Sequence, residues 1–187
     1  ESGRLHGTIR TVSKVAAIVG PTAVGKTRLS LDLAARMPVE IVNADSRQVY
    51  RYMDIGTGKP TRAERARVLH HVIDVVEPDD EFSLATYLQM ATGAIAGTRA
   101  RGRLPLLVGG TGQYVWSLLE GWDVPQVPAD RAFRERMEQV ARTEGAVHLH
   151  TELARLDPAA ADRIQSTNVR RVIRALELHR ATGELPS

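Results

Sequence analysis

The stretch GPTAVGKT, from Gly20 to Thr27, decides the fold of this chain. It fits the phosphate-loop pattern G-x-x-x-x-G-K-[ST] at every fixed position. The apolar segment Lys14–Val19 predicts a buried strand before it, and leucines at helical spacing predict a helix over Arg28–Met37. Strand, loop and helix in this order are the setting in which the pattern binds phosphate, so a glycine-rich turn without a ligand is disfavoured.

The residue types of this loop indicate how it would hold a phosphate. Glycines let backbone N–H groups curl around an anion, and the N-terminus of the following helix adds partial positive charge. Lys26 is placed to reach the terminal phosphates, and the Thr27 hydroxyl is placed to bind Mg²⁺. The loop alone does not reveal which phosphate compound it holds.

Composition sets broad limits on what the chain can be. Its 187 residues, 43% of them hydrophobic, suffice for one domain with an elaboration. No apolar run reaches the length of a membrane span, and the absence of cysteine fits a reducing, cytoplasmic compartment. The net charge is +3, and only three of the 25 basic residues are lysines. Arginine suits phosphate recognition, although a codon bias towards arginine explains the same composition.

A polar segment of the chain follows the next predicted strand, Val39–Val42. Ligands of α/β sheets bind at the carboxyl ends of strands, and Asp45 lies just beyond this one. Asp45 has two interpretations that the sequence leaves open. It is a carboxylate placed to take a proton or hold a metal-bound water, or it is a helix cap, because Asp45 and Gln48 match a capping box.

The middle of the chain supplies two more loops and two more strands. Met53–Pro60 is a glycine-rich loop whose Lys59 either reaches a phosphate or lies in solvent. His70–Val76 predicts a strand, and its adjacent histidines would point to opposite faces and so would not share a metal. After a helix predicted over Ser83–Arg101, the buried strand Leu104–Val108 runs into the turn Gly109-Gly110-Thr111-Gly112, where backbone N–H groups can face a ligand.

The order of these segments predicts an α/β fold in which a three-layer α/β/α phosphate-loop core with a parallel sheet spans residues 14–120. Residues 1–13 predict a flexible tail. The prolines of Gly121–Ala129 predict a linker, and residues 121–167 a small all-helical insertion with helices over Asp130–Arg142 and Gly145–Leu156. Asp157 and Pro158 predict a further helix start. Residues 168–187 predict a helix that returns to the core, and its arginines either contact RNA or form a solvated face.

With these motifs in place, the chain resembles the bacterial tRNA dimethylallyltransferases. The matching segments occur in the family's order: GPTAVGKT (20–27), NADSRQVYRYMDIGTGKP (43–60), HHVID (70–74), PLLVGGTGQY (105–114), DPAAADRI (157–164) and NVRRVIRALE (168–177). Tyr52 and Gly58 depart from the family's usual Gly and Ala. Family members continue well beyond the equivalent of Ser187, so the resemblance implies a chain in which the remainder of the core is missing.

The resemblance implies transfer of a dimethylallyl group from dimethylallyl diphosphate to N6 of an adenosine adjacent to the tRNA anticodon, by a monomer with Mg²⁺ as cofactor. Asp45 would be the general base. Lys26 and a Mg²⁺ ion on Thr27 would neutralise the leaving diphosphate, and Thr111 would hydrogen-bond near the amine or the diphosphate. The implied diphosphate contacts are Gly20, Pro21, Thr22, Ala23, Val24, Gly25, Lys26 and Thr27.

The resemblance also implies where the anticodon stem-loop binds. The implied tRNA contacts are Asp45, Ser46, Arg47, Gln48, Thr111, Arg134, Arg170, Arg171, Val172, Ile173 and Arg174. Three other functions remain open: a small-molecule kinase that binds ATP in the same loop, an adenylate isopentenyltransferase that acts on free nucleotides, and a binding module. Ordinary ATPases carry an Asp at the end of a strand as a second part of the metal site. This chain lacks that Asp and has the GGTG turn instead, which argues against the kinase. The basic last helix favours tRNA over free nucleotides.

Overall fold

The computed structural model describes residues 15–122 and 124–185, so the predicted tail lies outside the described residues. The described residues form two compact units that divide after Val124. The elements, in chain order, are β1 Ala16–Val19, α1 Lys26–Ala34, β2 Val39–Ala44, α2 Arg62–Arg65, β3 His70–His71, α3 Leu84–Ala100, β4 Leu104–Gly109, α4 Gly112–Glu120, α5 Arg131–Thr143, α6 Ala146–Leu156, α7 Pro158–Arg163 and α8 Val169–Thr182.

The first unit is built on a parallel sheet in the order β1-β4-β2-β3, which confirms the predicted α/β class. Strand β4 lies between β1 and β2, although it is the last of the four in sequence. Its Gly109 pairs with Val19 on one side and with Ala44 on the other. Three strands therefore end in one row, and the segments that follow them start side by side.

Alternation along the strands creates the three predicted layers. Val39 and Ile41 of β2 are buried with Leu31 of α1, on one face of the sheet. Val42 and Ala44 are buried on the opposite face in a cluster that also contains Tyr87 of α3. Burying an aliphatic side chain of this kind contributes roughly 1.5–3 kcal/mol, so both faces of β2 stabilise the fold.

The strand predicted over His70–Val76 is much shorter than expected. β3 contains only His70 and His71, because Val72 and Asp74 adopt left-handed backbone conformations with φ of 58° and 54°. A β ladder cannot continue through such residues. Within the described residues, the chain rejoins the sheet edge as an isolated bridge between Tyr50 and Val76, and residues 46–49 form a series of turns.

Four of the predicted helix starts are confirmed by their caps. In each case the side chain at the N-cap accepts a hydrogen bond from the backbone N–H three residues later, which satisfies a donor that the helix itself leaves unpaired. The four capping residues are Ser83, Asp130, Asp157 and Asn168.

The second unit consists of the helices α5 to α8 around their own apolar core. Phe133, Leu149, Leu153 and Leu176 are buried together there. The apolar stripe of α8, which contains Val172, Ile173 and Leu176, packs against α5 and α6 within this unit. That the helix from residue 168 returns to the α/β core stays a prediction. Among the described helices, none combines the length and apolarity that a membrane crossing needs.

Candidate active site at the carboxyl edge of the sheet

The row of strand ends brings three predicted motifs together. The phosphate loop follows Val19, Asp45 follows Ala44, and the turn with Thr111 follows Gly109. A cavity of about 250 Å³ opens at this edge of the sheet. Its lining residues are Thr22, Ala23, Gly25, Lys26, Thr27, Asp45, Gln48, Thr57, Gly58, Val108 and Gly109. The arrangement places a phosphate-binding loop and a carboxylate against one small volume.

The phosphate loop has the backbone shape that its sequence predicts. Ala23 and Gly25 have φ of 68° and 89°, in the left-handed region that turns successive N–H groups towards one side. Gly25 is the N-cap of α1 and has no side chain to cover the N–H groups of the first turn. Lys26 lies across the loop, where its Nζ donates to Gly20 O at 2.9 Å and to Pro21 O at 2.6 Å.

Asp45 is fixed by its neighbours and half-buried. Asn43 Oδ1 accepts from Asp45 N at 3.1 Å, while Asn43 Nδ2 donates to Val72 O at 2.8 Å. The Asp45 Oδ1 atom accepts from Arg47 N at 2.9 Å, which is a turn and not a helix cap. No helix begins within residues 46–49, so the predicted capping box with Gln48 is wrong. The carboxylate itself lines the cavity.

The turn after β4 packs tightly against the two neighbouring strand ends. A Cβ atom on Gly109 would lie 2.1 Å from Ala44 O, and one on Gly110 would lie 2.8 Å from Gly20 O. These glycines therefore allow the three segments to close on one another. The Thr111 hydroxyl accepts from Ser46 N at 2.9 Å and donates to Ser46 Oγ at 3.2 Å, so it also fixes the chain beside Asp45.

The glycine-rich loop Met53–Pro60 forms one wall of the cavity, and sequence reasoning did not assign this wall to the site. Its Thr57 and Gly58 line the cavity, and Gln48 Nε2 donates to Thr57 O at 3.1 Å. The signal was the glycine content of a loop that directly follows the Asp45 segment.

Lys59 holds this wall of the cavity in place, because its side chain is buried and bound to neighbouring residues. Both predictions for Lys59, phosphate contact and solvent exposure, are therefore wrong. It is 8% exposed, and its Nζ donates to Tyr50 O at 2.7 Å and to Asp74 Oδ1 at 2.6 Å. Asp54 pairs with it at 2.9 Å. Burial alone would raise the pKa of Asp74, but the hydrogen bonds from Lys59 and Arg65 outweigh burial and lower it.

The predicted RNA contacts of the second unit divide into two groups. Val172 and Ile173 are 0% and 4% exposed within the helical core, because the apolar stripe of α8 needs them there. Their side chains are therefore not available to RNA, which corrects that part of the prediction. Arg170 and Arg171 are exposed on the same helix.

The other two arginines of the set share one carboxylate. Arg134 donates from Nε and Nη2 to the two oxygens of Glu177, each at 2.9 Å, and Arg174 donates from Nη1 to Glu177 Oε2 at 2.5 Å. The alternative in which these arginines form a solvated face left Glu177 without a structural role. Its 2% exposure shows that it is part of the interior of the unit.

Comparison with known families identifies relatives of both parts of the chain. The profile described as IPP transferase matches residues 48–187, and the profile described as isopentenyl transferase matches residues 13–72.

Two named relatives are close in sequence. The chain is 61% identical over 167 residues to a tRNA dimethylallyltransferase of Roseiflexus castenholzii, which covers 89% of this chain and 55% of the relative. It is 56% identical over 173 residues to one of Chloroflexus aurantiacus, which covers 92% and 58%. The chain therefore spans a little more than half the length of the curated relatives that it matches.

Solved structures give the same likeness. The full-length tRNA isopentenylpyrophosphate transferase of Bacillus halodurans is 46% identical, with a TM-score of 0.59 over 92% of this chain and 57% of that chain. A eukaryotic dimethylallyltransferase acting on tRNA is 30% identical, with a TM-score of 0.74 over 93% of this chain and 43% of that chain.

Proposed function

The chain belongs to the IPP transferase family, and on that premise we propose that it transfers a dimethylallyl group from dimethylallyl diphosphate to N6 of an adenosine beside a tRNA anticodon. Membership confirms the resemblance drawn from the motifs. The observation that carries the proposal is the row of strand ends, Val19, Gly109 and Ala44, because it sets the phosphate loop and Asp45 against one cavity.

The phosphate loop would hold the diphosphate of the donor. Its left-handed turn and the uncapped first turn of α1 supply N–H donors, and Lys26 supplies a full positive charge. The Lys26 ammonium is held by the carbonyls of Gly20 and Pro21, within the loop that would receive the anion. These groups would stabilise the negative charge that develops on the diphosphate as its bond to the allylic carbon breaks.

The residues of the loop also fit one Mg²⁺ ion. Mg²⁺ prefers oxygen ligands and is commonly bound by one or two protein groups together with substrate phosphates and water. Thr27 offers a hydroxyl on the wall of the cavity, and no group of three His, Asp or Glu side chains in the described ranges could hold a metal without a substrate. A Mg²⁺ ion held by Thr27 would neutralise charge on the departing diphosphate.

Asp45 would act as the general base. The N6 nitrogen of adenine attacks the allylic carbon, the carbon–oxygen bond to diphosphate breaks, and Asp45 takes the proton that N6 loses. An aromatic amine is a poor nucleophile, and a positioned base of this kind contributes ~10²–10⁴-fold to the rate. Ser46 and Thr111 support this role by fixing the backbone on one side of Asp45, as Asn43 does on the other.

The RNA would be held at both units. An adenine must leave its stack to reach a buried site, which costs a few kcal/mol. Gln48, which lines the cavity, together with Ser46 and Arg47, would contact the extruded base and its neighbours. The exposed Arg170 and Arg171 would contact the RNA backbone. Within this proposal the enzyme works as a monomer in the cytoplasm, where tRNA is found.

Mass analysis of nucleosides tests the proposal directly. The chain is incubated with Mg²⁺, dimethylallyl diphosphate and unmodified tRNA, the RNA is digested, and its nucleosides are weighed. The full-length Roseiflexus castenholzii relative serves as the positive control. We expect an adenosine heavier by one dimethylallyl group.

Each other outcome of this assay has a distinct meaning. Unmodified adenosine with an active control contradicts the proposed activity of this chain. In parallel samples, prenylation of free AMP in preference to tRNA would support the nucleotide-specific alternative. Consumption of ATP with a metabolite acceptor would support the kinase.

A further inference from the structure

Glu177 is a charged residue at the centre of the helical unit, and the proposed reaction does not use it. It lies on α8, and only 2% of its surface is exposed. A carboxylate taken out of water is strongly unfavourable unless positive or donor groups surround it. The groups that bind this buried carboxylate therefore need to be identified.

Four donors from two chain segments converge on this carboxylate. Arg134 on α5 binds both oxygens side-on, each at 2.9 Å. Arg174, on α8, binds Oε2 at 2.5 Å, and the backbone N of Asp130, before α5, binds Oε1 at 2.8 Å. Glu177 thus fixes the orientation of two guanidinium groups with respect to each other.

The carboxylate stays ionised in this setting. Burial raises the pKa of Glu177, but the hydrogen bonds from Arg134, Arg174 and the Asp130 backbone outweigh burial, and the pKa is lowered. One negative charge against two guanidinium groups leaves a net positive charge on the cluster.

The side chains of both arginines remain partly exposed while the carboxylate holds them. The side chains of Arg134 and Arg174 are 34% and 33% exposed, and each guanidinium has five N–H donors in a planar fork. Arg174 is fixed further by a bond from Nη2 to Val127 O at 3.2 Å. Such a fork can bind a phosphate while another edge of it stays on the carboxylate.

Other charged residues of the helical unit lie near the Glu177 cluster. Arg180 on α8 pairs with Asp130 at 3.0 Å, so the charge of Asp130 is balanced by an arginine of the same helix as Glu177. Arg170 and Arg171 are exposed on the same helix. The cluster is therefore one part of a surface that carries several arginines.

We propose that Glu177 is a positioning residue, which holds Arg134 and Arg174 in the orientation that binds phosphates of the tRNA backbone. This inference rests on the proposed function. A long side chain loses rotamer entropy when it is ordered, and holding it in place before binding removes that loss from the binding step. Glu177 would thus strengthen RNA binding even though it is negatively charged.

Glu177→Gln tests the inference because the two physical effects of the change have opposite signs. Glutamine keeps the size of the side chain and an acceptor for Asp130 N, but it loses the charge that holds the guanidinium groups. Charge removal alone would tighten RNA binding, since RNA is an anion. Loss of positioning would weaken it, and we expect KM for tRNA to rise by roughly tenfold, with kcat at saturating tRNA and KM for dimethylallyl diphosphate unchanged.

A matched control removes the same charge elsewhere in the unit. Glu152→Gln breaks an exposed pair with Arg155 on α6 and should leave the tRNA affinity unchanged or slightly tighter. A double variant, Arg134→Ala with Arg174→Ala, should bind tRNA weakly, and adding Glu177→Gln to it should not weaken binding further, because only the favourable effect of charge removal is left. Circular dichroism at the assay temperature checks that each variant is folded.

Direct filter binding of tRNA separates the inference from the proposed function. Wild-type chain that binds tRNA without transferring the prenyl group contradicts the function and leaves the Glu177 test in force. Folded Glu177→Gln that binds tRNA as well as or better than wild type overturns the inference. If Glu177→Gln does not fold, Glu177→Asp keeps the charge on a shorter side chain, and an unchanged tRNA affinity for that variant would overturn the inference as well.

Discussion

A substitution of Asp45 can separate the structural role of its side chain from its proposed chemical role. One of its carboxylate oxygens has a structural partner, Arg47 N at 2.9 Å, and the side chain also lines the cavity. Asparagine has the same shape and keeps an oxygen for Arg47 N, but it cannot take a proton. The substitution therefore changes the chemistry and leaves the turn in place.

We expect Asp45→Asn to lower kcat for prenyl transfer by ~10²–10⁴-fold, because the amine would lose its general base. Binding of dimethylallyl diphosphate, measured by calorimetry, should stay at the wild-type level, since the phosphate loop is untouched. Asp32→Asn on the exposed face of α1 is the control and should leave both quantities unchanged. Wild-type turnover by Asp45→Asn would rule out the proposed role of Asp45.

Gly109 is the residue on which the packing of the site depends. We expect Gly109→Ala to lower the free energy of unfolding by roughly 3 kcal/mol or more, because its Cβ would lie 2.1 Å from the backbone oxygen of Ala44 and neither strand end can move alone. Urea unfolding followed by fluorescence measures this, because both tryptophans, Trp116 and Trp122, lie in the α/β unit.

The control for Gly109 is a glycine with open space. Gly93 lies within α3, and a Cβ there would meet no atom within 4 Å. Alanine is the better helix former, so Gly93→Ala should raise the stability by up to about 1 kcal/mol. Equal effects of the two substitutions would show that the close approach at Gly109 does not limit stability.

At the scale of elements, strand β2 contributes a buried ion pair as well as the active-site edge. Glu40 is 2% exposed, and Arg101 binds both of its oxygens, at 2.9 and 2.6 Å. His71 of β3 and Thr98 of α3 bind Oε2 at 2.7 and 3.0 Å. One carboxylate thus joins β2 to the strand beside it and to the helix above it.

This network predicts a pH dependence of stability. The hydrogen bonds from Arg101, His71 and Thr98 outweigh burial and lower the pKa of Glu40 to about 2, from an ordinary value of 4.5. Because the folded state has the lower pKa, the stabilisation is fully present above pH 4.5 and is lost as the pH falls towards 2. Arg101 is half exposed, so solvent screening reduces the contribution of this pair to stability.

We therefore expect Glu40→Gln to be less stable than wild type at pH 7 and to approach wild type as the pH is lowered to 3. Urea unfolding at several pH values measures the difference. Glu77→Gln removes a half-exposed carboxylate that pairs with Arg51 in the same unit, and it should cost less than about 1 kcal/mol at any pH. A difference for Glu40→Gln that stays constant between pH 7 and pH 3 would contradict the assignment.

Across the whole molecule, the candidate residues of the proposed reaction are divided between the two units. The α/β unit carries the phosphate loop and Asp45, and the helical unit carries exposed arginines on α8. Contacts to RNA phosphates release counterions, so each one adds to the salt dependence of binding.

We expect Arg170→Ala and Arg171→Ala each to weaken tRNA binding and to reduce the slope of log K against log salt by roughly 0.7–0.9 per lost phosphate contact. Filter binding across a salt series measures the slope. Arg155→Ala, an exposed arginine on α6, is the control. A slope equal to that of wild type would make Arg170 and Arg171 ordinary surface residues and would remove this part of the proposed RNA site.

Short sequence patterns were enough to predict the local elements and the chemistry of single segments. The phosphate loop, the capped helix starts at Ser83, Asp130, Asp157 and Asn168, and the division near residue 124 all followed from short patterns. These features depend on backbone geometry and hydrogen bonds within a few residues, which a local pattern specifies.

How the segments meet depends on contacts between residues far apart in the chain. The position of β4 between β1 and β2 set Asp45 beside the phosphate loop, and close backbone packing explained the glycines that sequence reasoning had assigned to ligand contact. The burial of Lys59 and Glu177 could not be predicted from local patterns either. The reason is physical: strand order, burial and ion pairing depend on residues far apart in sequence, and a charged residue has the same local pattern whether it ends in solvent or in the interior.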